Sequence, residues 1–111
     1  MTQITTLPSN SSTDDIIEVL EKDGAAIVDD FVSQEWLSEF NSAIQTSIDN
    51  YKPFDYGEPE AEEFLGRQTV RLNGLIRKAP NYIDFITDDR LLTIMDHFLT
   101  PIFGKYRLNS S

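Results

Sequence analysis

Apolar residues in the first half of the chain recur at helical spacing, interrupted by one short run in which they are continuous. Ile16, Ile17, Val19 and Leu20 make a broad stripe over residues 14–22, which predicts an amphipathic helix. Ser12 or Thr13 is placed to cap it, because a hydroxyl oxygen there accepts from free backbone N–H groups, and Asp14 and Asp15 suit the positive end of the helix dipole. Gly24 ends the helix, since the next position often needs φ > 0 and glycine adopts it without a Cβ penalty. Ala25-Ala26-Ile27-Val28 is small and apolar enough for a short buried strand, which Asp29 and Asp30 stop. Ser33 then caps a second helix of about four turns, in which Trp36, Phe40, Ile44 and Ile48 return every four residues beside Leu37 and Ala43. Ahead of these elements, residues 1–12 are rich in Ser, Thr and Asn with Pro8, and read as a mobile or extended lead-in.

Neither period survives between Asn50 and Gln68, where two prolines, two glycines and a cluster of acids predict a long loop, a candidate lid. Thr69 to Asn73 alternates enough for an extended or short-strand segment running towards Leu75 and Ile76. Pro80 opens a short helix, and Thr87 or Asp88 opens another with Leu91, Leu92, Met95, Phe98 and Leu99 on one face, ended by Pro101 and Gly104. From Lys105 to Ser111, Tyr106 and Leu108 alternate with Lys105, Arg107 and Asn109, which predicts a β-strand. No later partner exists in the chain, so the strand would be an open edge that invites pairing with another chain.

Composition narrows the class. At 111 residues with 40% apolar and 12 aromatic side chains, one domain with a modest core is expected. The absence of cysteine excludes disulfides and thiolate metal sites and fits a reducing interior. No apolar run approaches the roughly 20 residues that span a bilayer, and the first residues lack the pattern of a signal peptide, so a soluble, cytoplasmic protein without a membrane partner is expected. The net charge of −10 is unevenly placed: residues 1–66 carry fifteen acids against Lys22 and Lys52, whereas residues 67–111 are mildly basic. An acidic chain repels phosphate backbones, which argues against nucleic acid as a partner, while the basic half could hold a small dianion.

The order helix, DGAAIVDDFV, long amphipathic helix, polar loop, TVRLNGLIRKAPNYIDFI, DDRLLTIMDHFL and KYRLNSS resembles the N-terminal part of the phytanoyl-CoA dioxygenase family. These are iron(II)- and 2-oxoglutarate-dependent oxygenases, and the likeness is to the fungal branch acting on meroterpenoids and alkaloids. The resemblance runs through nearly the whole chain by the order of its motifs, each loose by itself. It implies an α+β fold, with an N-terminal helical scaffold and the first strands of an incomplete double-stranded β-helix, or jelly roll. Residues 13–111 would form a partial dioxygenase domain without the iron-binding strands. The resemblance also implies iron(II) and 2-oxoglutarate as cofactors and a small lipophilic metabolite as substrate in a complete enzyme.

A facial triad takes two imidazoles and one carboxylate. This chain has one histidine, His97, beside Asp96 on a predicted helix, where neighbouring residues point about 100° apart and do not face one ion together. His97 is therefore expected on a helix surface, with no stably bound cofactor in this chain alone. A truncated product without activity is the leading expectation; a non-catalytic subunit or an acidic interaction domain pairing through the 105–111 edge competes with it.

Arg71 is the candidate for 2-oxoglutarate by resemblance, since it stands nine residues before Pro80 as the corresponding arginine does. Its guanidinium suits a carboxylate through paired, charge-assisted hydrogen bonds. The plainer alternative pairs it with Glu62 or Glu63. Asn73 and Asn109 could turn amides into the same pocket, or be ordinary turn and edge amides. Glu58, Glu60, Glu62 and Glu63 lack the spacing of a calcium loop and read as a solvated run. Tyr51, Phe54 and Tyr56 either line a half-wet substrate mouth or anchor the loop to the second helix.

Overall fold

The computed structural model describes residues 3–52, 57–66 and 68–109. Its elements are β1 (Thr6–Leu7), α1 (Thr13–Asp23), β2 (Ile27–Val28), α2 (Gln34–Asp49), α3 (Pro59–Leu65), α4 (Leu75–Lys78), α5 (Tyr82–Ile86) and α6 (Asp89–Phe103).

Both helix starts expected in the first half are present. The Ser12 hydroxyl accepts from the Asp15 N–H at 3.1 Å and the Ser33 hydroxyl accepts from the Trp36 N–H at the same distance. Gly24 closes α1 with φ of 75°, donating its N–H to the Leu20 carbonyl. Asp30, at φ 48°, supplies the turn after β2; the short polar side chain of Asp is one of the few that tolerate this region.

The lead-in contributes an element of its own. Thr6 pairs with Ile27 and Leu7 with Val28 in a two-stranded parallel sheet, α1 forming the crossover that parallel pairing requires. The Thr5 and Leu7 carbonyls accept from the Ile27 and Asp29 N–H groups at 2.9 Å.

The core is small. Ile16 and Ile17 of α1 pack against Ile94 of α6, with Leu7, Leu20, Val28, Met95 and Phe98 half-buried around them. Ile94 falls outside the apolar face expected for α6. The helix is in fact apolar on two sides: Ile94 and Phe98 meet α1, while Leu91, Met95 and Leu99 form a second row along the opening between α5 and α6.

Aromatic stacking joins α2 to α5. Trp36 lies nearly parallel to Phe40 at 5.1 Å between centroids and tilts against Phe85 at 5.9 Å, with Phe40 also near Tyr82. The indole N–H donates to the Asn81 carbonyl at 2.9 Å, and the Asn81 amide donates back to the Trp36 carbonyl at 3.1 Å. The α2 stripe thus faces inward as expected, although none of its residues is fully buried.

Four local expectations change. The stretch read as loop from Asn50 to Gln68 contains α3, which Pro59 opens and Gly66 closes; Pro at the first helical position and acids in the first turn favour it. Residues 69–73 carry no strand, and the chain turns into α4 at Gly74 rather than extending through Leu75 and Ile76, because no neighbouring strand offers a ladder. Pro101 does not end α6, which runs on to Phe103 before Gly104. Lys105 to Asn109 is likewise without strand structure among the described residues, for want of a pairing edge.

Candidate functional site

A mostly apolar concavity lies between α5, α6 and the segment after Gly104. Its volume is about 380 Å³, and its walls include Tyr82, Phe85, Leu91, Met95, Leu99 and Tyr106. α5 and α6 are set at this opening by two clamps. One is the Trp36 and Asn81 exchange described above. In the other, Arg90 donates to the Phe31 carbonyl at 2.7 Å, lies 4.0 Å over the Phe31 ring and bonds both oxygens of Asp88.

Asp88 is also the N-cap of α6, accepting from the Arg90 and Leu91 N–H groups. Its carboxyl is held below the ordinary value near 3.8, first by the Arg90 side-chain hydrogen bond, against partial desolvation, with those two backbone donors and the Arg90 charge adding to the effect. On the far wall, the Tyr106 hydroxyl donates to Asp96 Oδ1 of α6 and so ties the last described segment to the helix. Accepting that proton's bond stabilises the neutral phenol, and the hydroxyl's pKa is raised, foremost by Asp96.

Asn109 lines this cleft; Arg71 and Asn73 do not. The Arg71 guanidinium donates to the Leu65 carbonyl at 3.0 Å, closing the turn behind α3. The Asn73 carbonyl accepts from the Lys78 ammonium within the turn that leads into α4. The three candidates are therefore not gathered around one cavity.

His97 lies on the α6 surface, its Nε2 2.7 Å from a Glu21 carboxylate oxygen of α1. Asp96 turns instead to Tyr106, so the adjacent pair diverges as helical geometry requires. No group of three or more His, Asp or Glu able to hold a metal occurs among the described residues. The side chains of this chain do not fit an iron(II) facial triad: one imidazole is present, and its neighbours are committed elsewhere.

Glu58 stands at the N-cap position of α3 without a side-chain capping bond, and Glu60, Glu62 and Glu63 follow along that helix without converging on a cation site among the described residues. Tyr51 is half-buried just after α2; Phe54 and Tyr56 lie outside the described residues. The residues that shape the cleft were only partly foreseen. Tyr106 and Leu108 showed in the alternation of the last segment, but Asn81 and the Asp88 and Arg90 pair act through contacts 45 and 59 residues apart, to Trp36 and Phe31, for which sequence offers only a proline-adjacent asparagine and a helix cap.

No family model matches the chain. Individual proteins do. Over 99 residues it is 30% identical to dioxygenase swnH2 of Arthroderma benhamiae, an alignment covering 83% of this chain and 29% of that protein. The chain is similar to fungal dioxygenases. Dioxygenase cdmA of Talaromyces verruculosus is 26% identical over 103 residues, and dioxygenase swnH1 of Metarhizium robertsii is 34% identical over 77. Those alignments cover 91% and 69% of this chain but only 35% and 24% of the relatives, so the chain spans about a third or less of the proteins it matches. Among the described residues no helix is long and apolar enough to cross a membrane.

Proposed function

We propose that these residues form the N-terminal helical scaffold of an iron(II)- and 2-oxoglutarate-dependent oxygenase of the phytanoyl-CoA dioxygenase type, and that the chain does not by itself carry out oxidation. The likeness to three fungal dioxygenases supports the family side of this reading. The observation that carries the inactive side is the solitary His97, bound to Glu21 on a helix surface with no second imidazole to join it. In a complete protein the remaining chain would supply the jelly roll and the metal ligands, Arg71 would contribute to 2-oxoglutarate binding, and the substrate would be a small lipophilic metabolite handled in the cytoplasm. Arg71 would then exchange the Leu65 carbonyl for a carboxylate, a stronger acceptor for a guanidinium.

The test is direct. Purified chain supplied with iron(II), 2-oxoglutarate, ascorbate and oxygen is expected to bind no stoichiometric iron by calorimetry and to release succinate only at the background rate. One equivalent of iron with oxygen-dependent succinate release would overturn the proposal.

A further inference from the structure

We infer that the step from Asn73 to Gly74 is a site of spontaneous covalent modification, at which the asparagine amide is lost through a cyclic imide and replaced by aspartate and isoaspartate. The chemistry needs an asparagine side chain followed by a peptide nitrogen free to attack it. Of the six asparagines only Asn73 precedes glycine, whose nitrogen is the least hindered because no Cβ stands beside it. Asn50 and Asn81 precede Tyr51 and Tyr82, whose N–H groups donate to the Ile48 and Ala79 carbonyls at 3.1 and 2.9 Å. Asn41 lies within α2, where the helical ladder holds the following N–H. Asp23 before Gly24 is the acidic counterpart, but there the Gly24 N–H closes α1 on Leu20 and the carboxylate accepts from the Thr5 hydroxyl.

The features that promote attack are all set within residues 73–78. Gly74 stands ahead of α4 at φ 64° and ψ 40°. Its carbonyl accepts from the Arg77 and Lys78 N–H groups, whereas its own N–H precedes the helical ladder and has no acceptor among the described residues. The Asn73 side chain is exposed and its amide is tied to no other described residue. Lys78 supplies the activation. Its ammonium donates to the Asn73 carbonyl, which belongs to the same peptide unit as the Gly74 N–H. A cation there draws electron density to that oxygen and stabilises the amidate formed when the N–H loses its proton, because an opposite charge in hydrogen-bond reach favours the ionised form.

The Gly74 nitrogen gives its proton to a buffer base, bonds to Asn73 Cγ and expels the side-chain nitrogen as ammonia. Water then opens the ring, at Cγ to give aspartate or at the main-chain carbonyl to give isoaspartate, so the net change is loss of ammonia and gain of water. Either product sets a carboxylate beside Lys78, in a stretch that also carries Arg71 and Arg77. Isoaspartate further adds a methylene to the main chain just before α4.

The test is to age the purified full chain at mildly alkaline pH, follow the tryptic peptide Leu72–Arg77 by mass spectrometry and count isoaspartate with an isoaspartate-specific methyltransferase. Conversion of Asn73 ahead of the other asparagines, faster as the pH is raised, is expected. Asn73→Gln, at an exposed position, should keep the helical circular dichroism and yield no isoaspartate in that peptide. Lys78→Met should slow conversion of the native chain about threefold, the scale of one partly solvated charge contact, and the difference should vanish in urea, where the turn is not formed. Asn73 intact while another asparagine converts, conversion no faster than at Asn10, an unchanged rate in Lys78→Met, or a Lys78 effect that persists in urea would each overturn the inference. It goes beyond the oxygenase reading, which is decided by iron and succinate rather than by the mass of this peptide.

Discussion

At the scale of single residues, the arrangement of α5 and α6 depends on a few polar groups with two tasks each. Asp88 caps α6 and holds Arg90, which in turn reaches Phe31 across the fold. A carboxyl held below its unfolded value adds stability above that value and loses it as pH falls through the folded one, so this contribution disappears below about pH 4. Asp88→Asn retains a capping oxygen but not the charge. We expect the variant to be less stable at pH 7 by about 0.5–1 kcal/mol, the scale of a partly solvated pair, with the gap closing as pH falls below the ordinary value near 3.8 in urea titrations. A gap unchanged by that fall would show that the charge is irrelevant. Asn81 is a second such residue: its main-chain carbonyl accepts from the Trp36 indole and its side-chain Nδ2 donates to the Trp36 carbonyl, while its own buried Oδ1 has no partner among the described residues.

Elements are held together unequally. Ile16, Ile17 and Ile94 join α1 to α6 as the main buried cluster, with Ala79 the one other buried apolar residue among those described. Deleting a buried isoleucine side chain costs about 2–5 kcal/mol including the cavity term, which is comparable to the whole stability of a small domain. Ile94→Ala should therefore abolish the cooperative thermal transition followed by circular dichroism, whereas Leu92→Ala, at an exposed position of the same helix, should lower the midpoint by only a few degrees. Equal effects would mean that the α1 and α6 contact is not the core. The second apolar side of α6, facing α5 across the cleft, is only partly covered.

For the molecule as a whole, burial is incomplete. The Cα radius of gyration is 17.2 Å, against about 13 Å for a compact domain of this length. Phe64, Ile102 and Phe103 are largely exposed. Apolar surface of this extent favours association, while a net charge of −10 opposes it through repulsion that salt screens. Raising sodium chloride from about 0.02 to 0.5 M, which shortens the Debye length several-fold, should increase the weight-average mass in sedimentation. A strictly monomeric chain throughout would show that the exposed face is not adhesive.

What sequence determined was local. The caps at Ser12 and Ser33, the left-handed Gly24, the apolar faces of α1 and α2 and the missing second imidazole all follow from neighbouring side chains or from a count, and need no knowledge of distant contacts. The pairing of Thr6 and Leu7 with Ile27 and Val28, the burial of Ile94, the turn of Arg71 onto Leu65 and the lack of strands at 69–73 and 105–109 were decided by tertiary structure. The reason is that a helix satisfies its own backbone within four residues, so its pattern is self-contained. A strand depends on an edge from elsewhere in the fold, and alternation at Tyr106 and Leu108 expresses a readiness to pair that these residues alone do not fulfil.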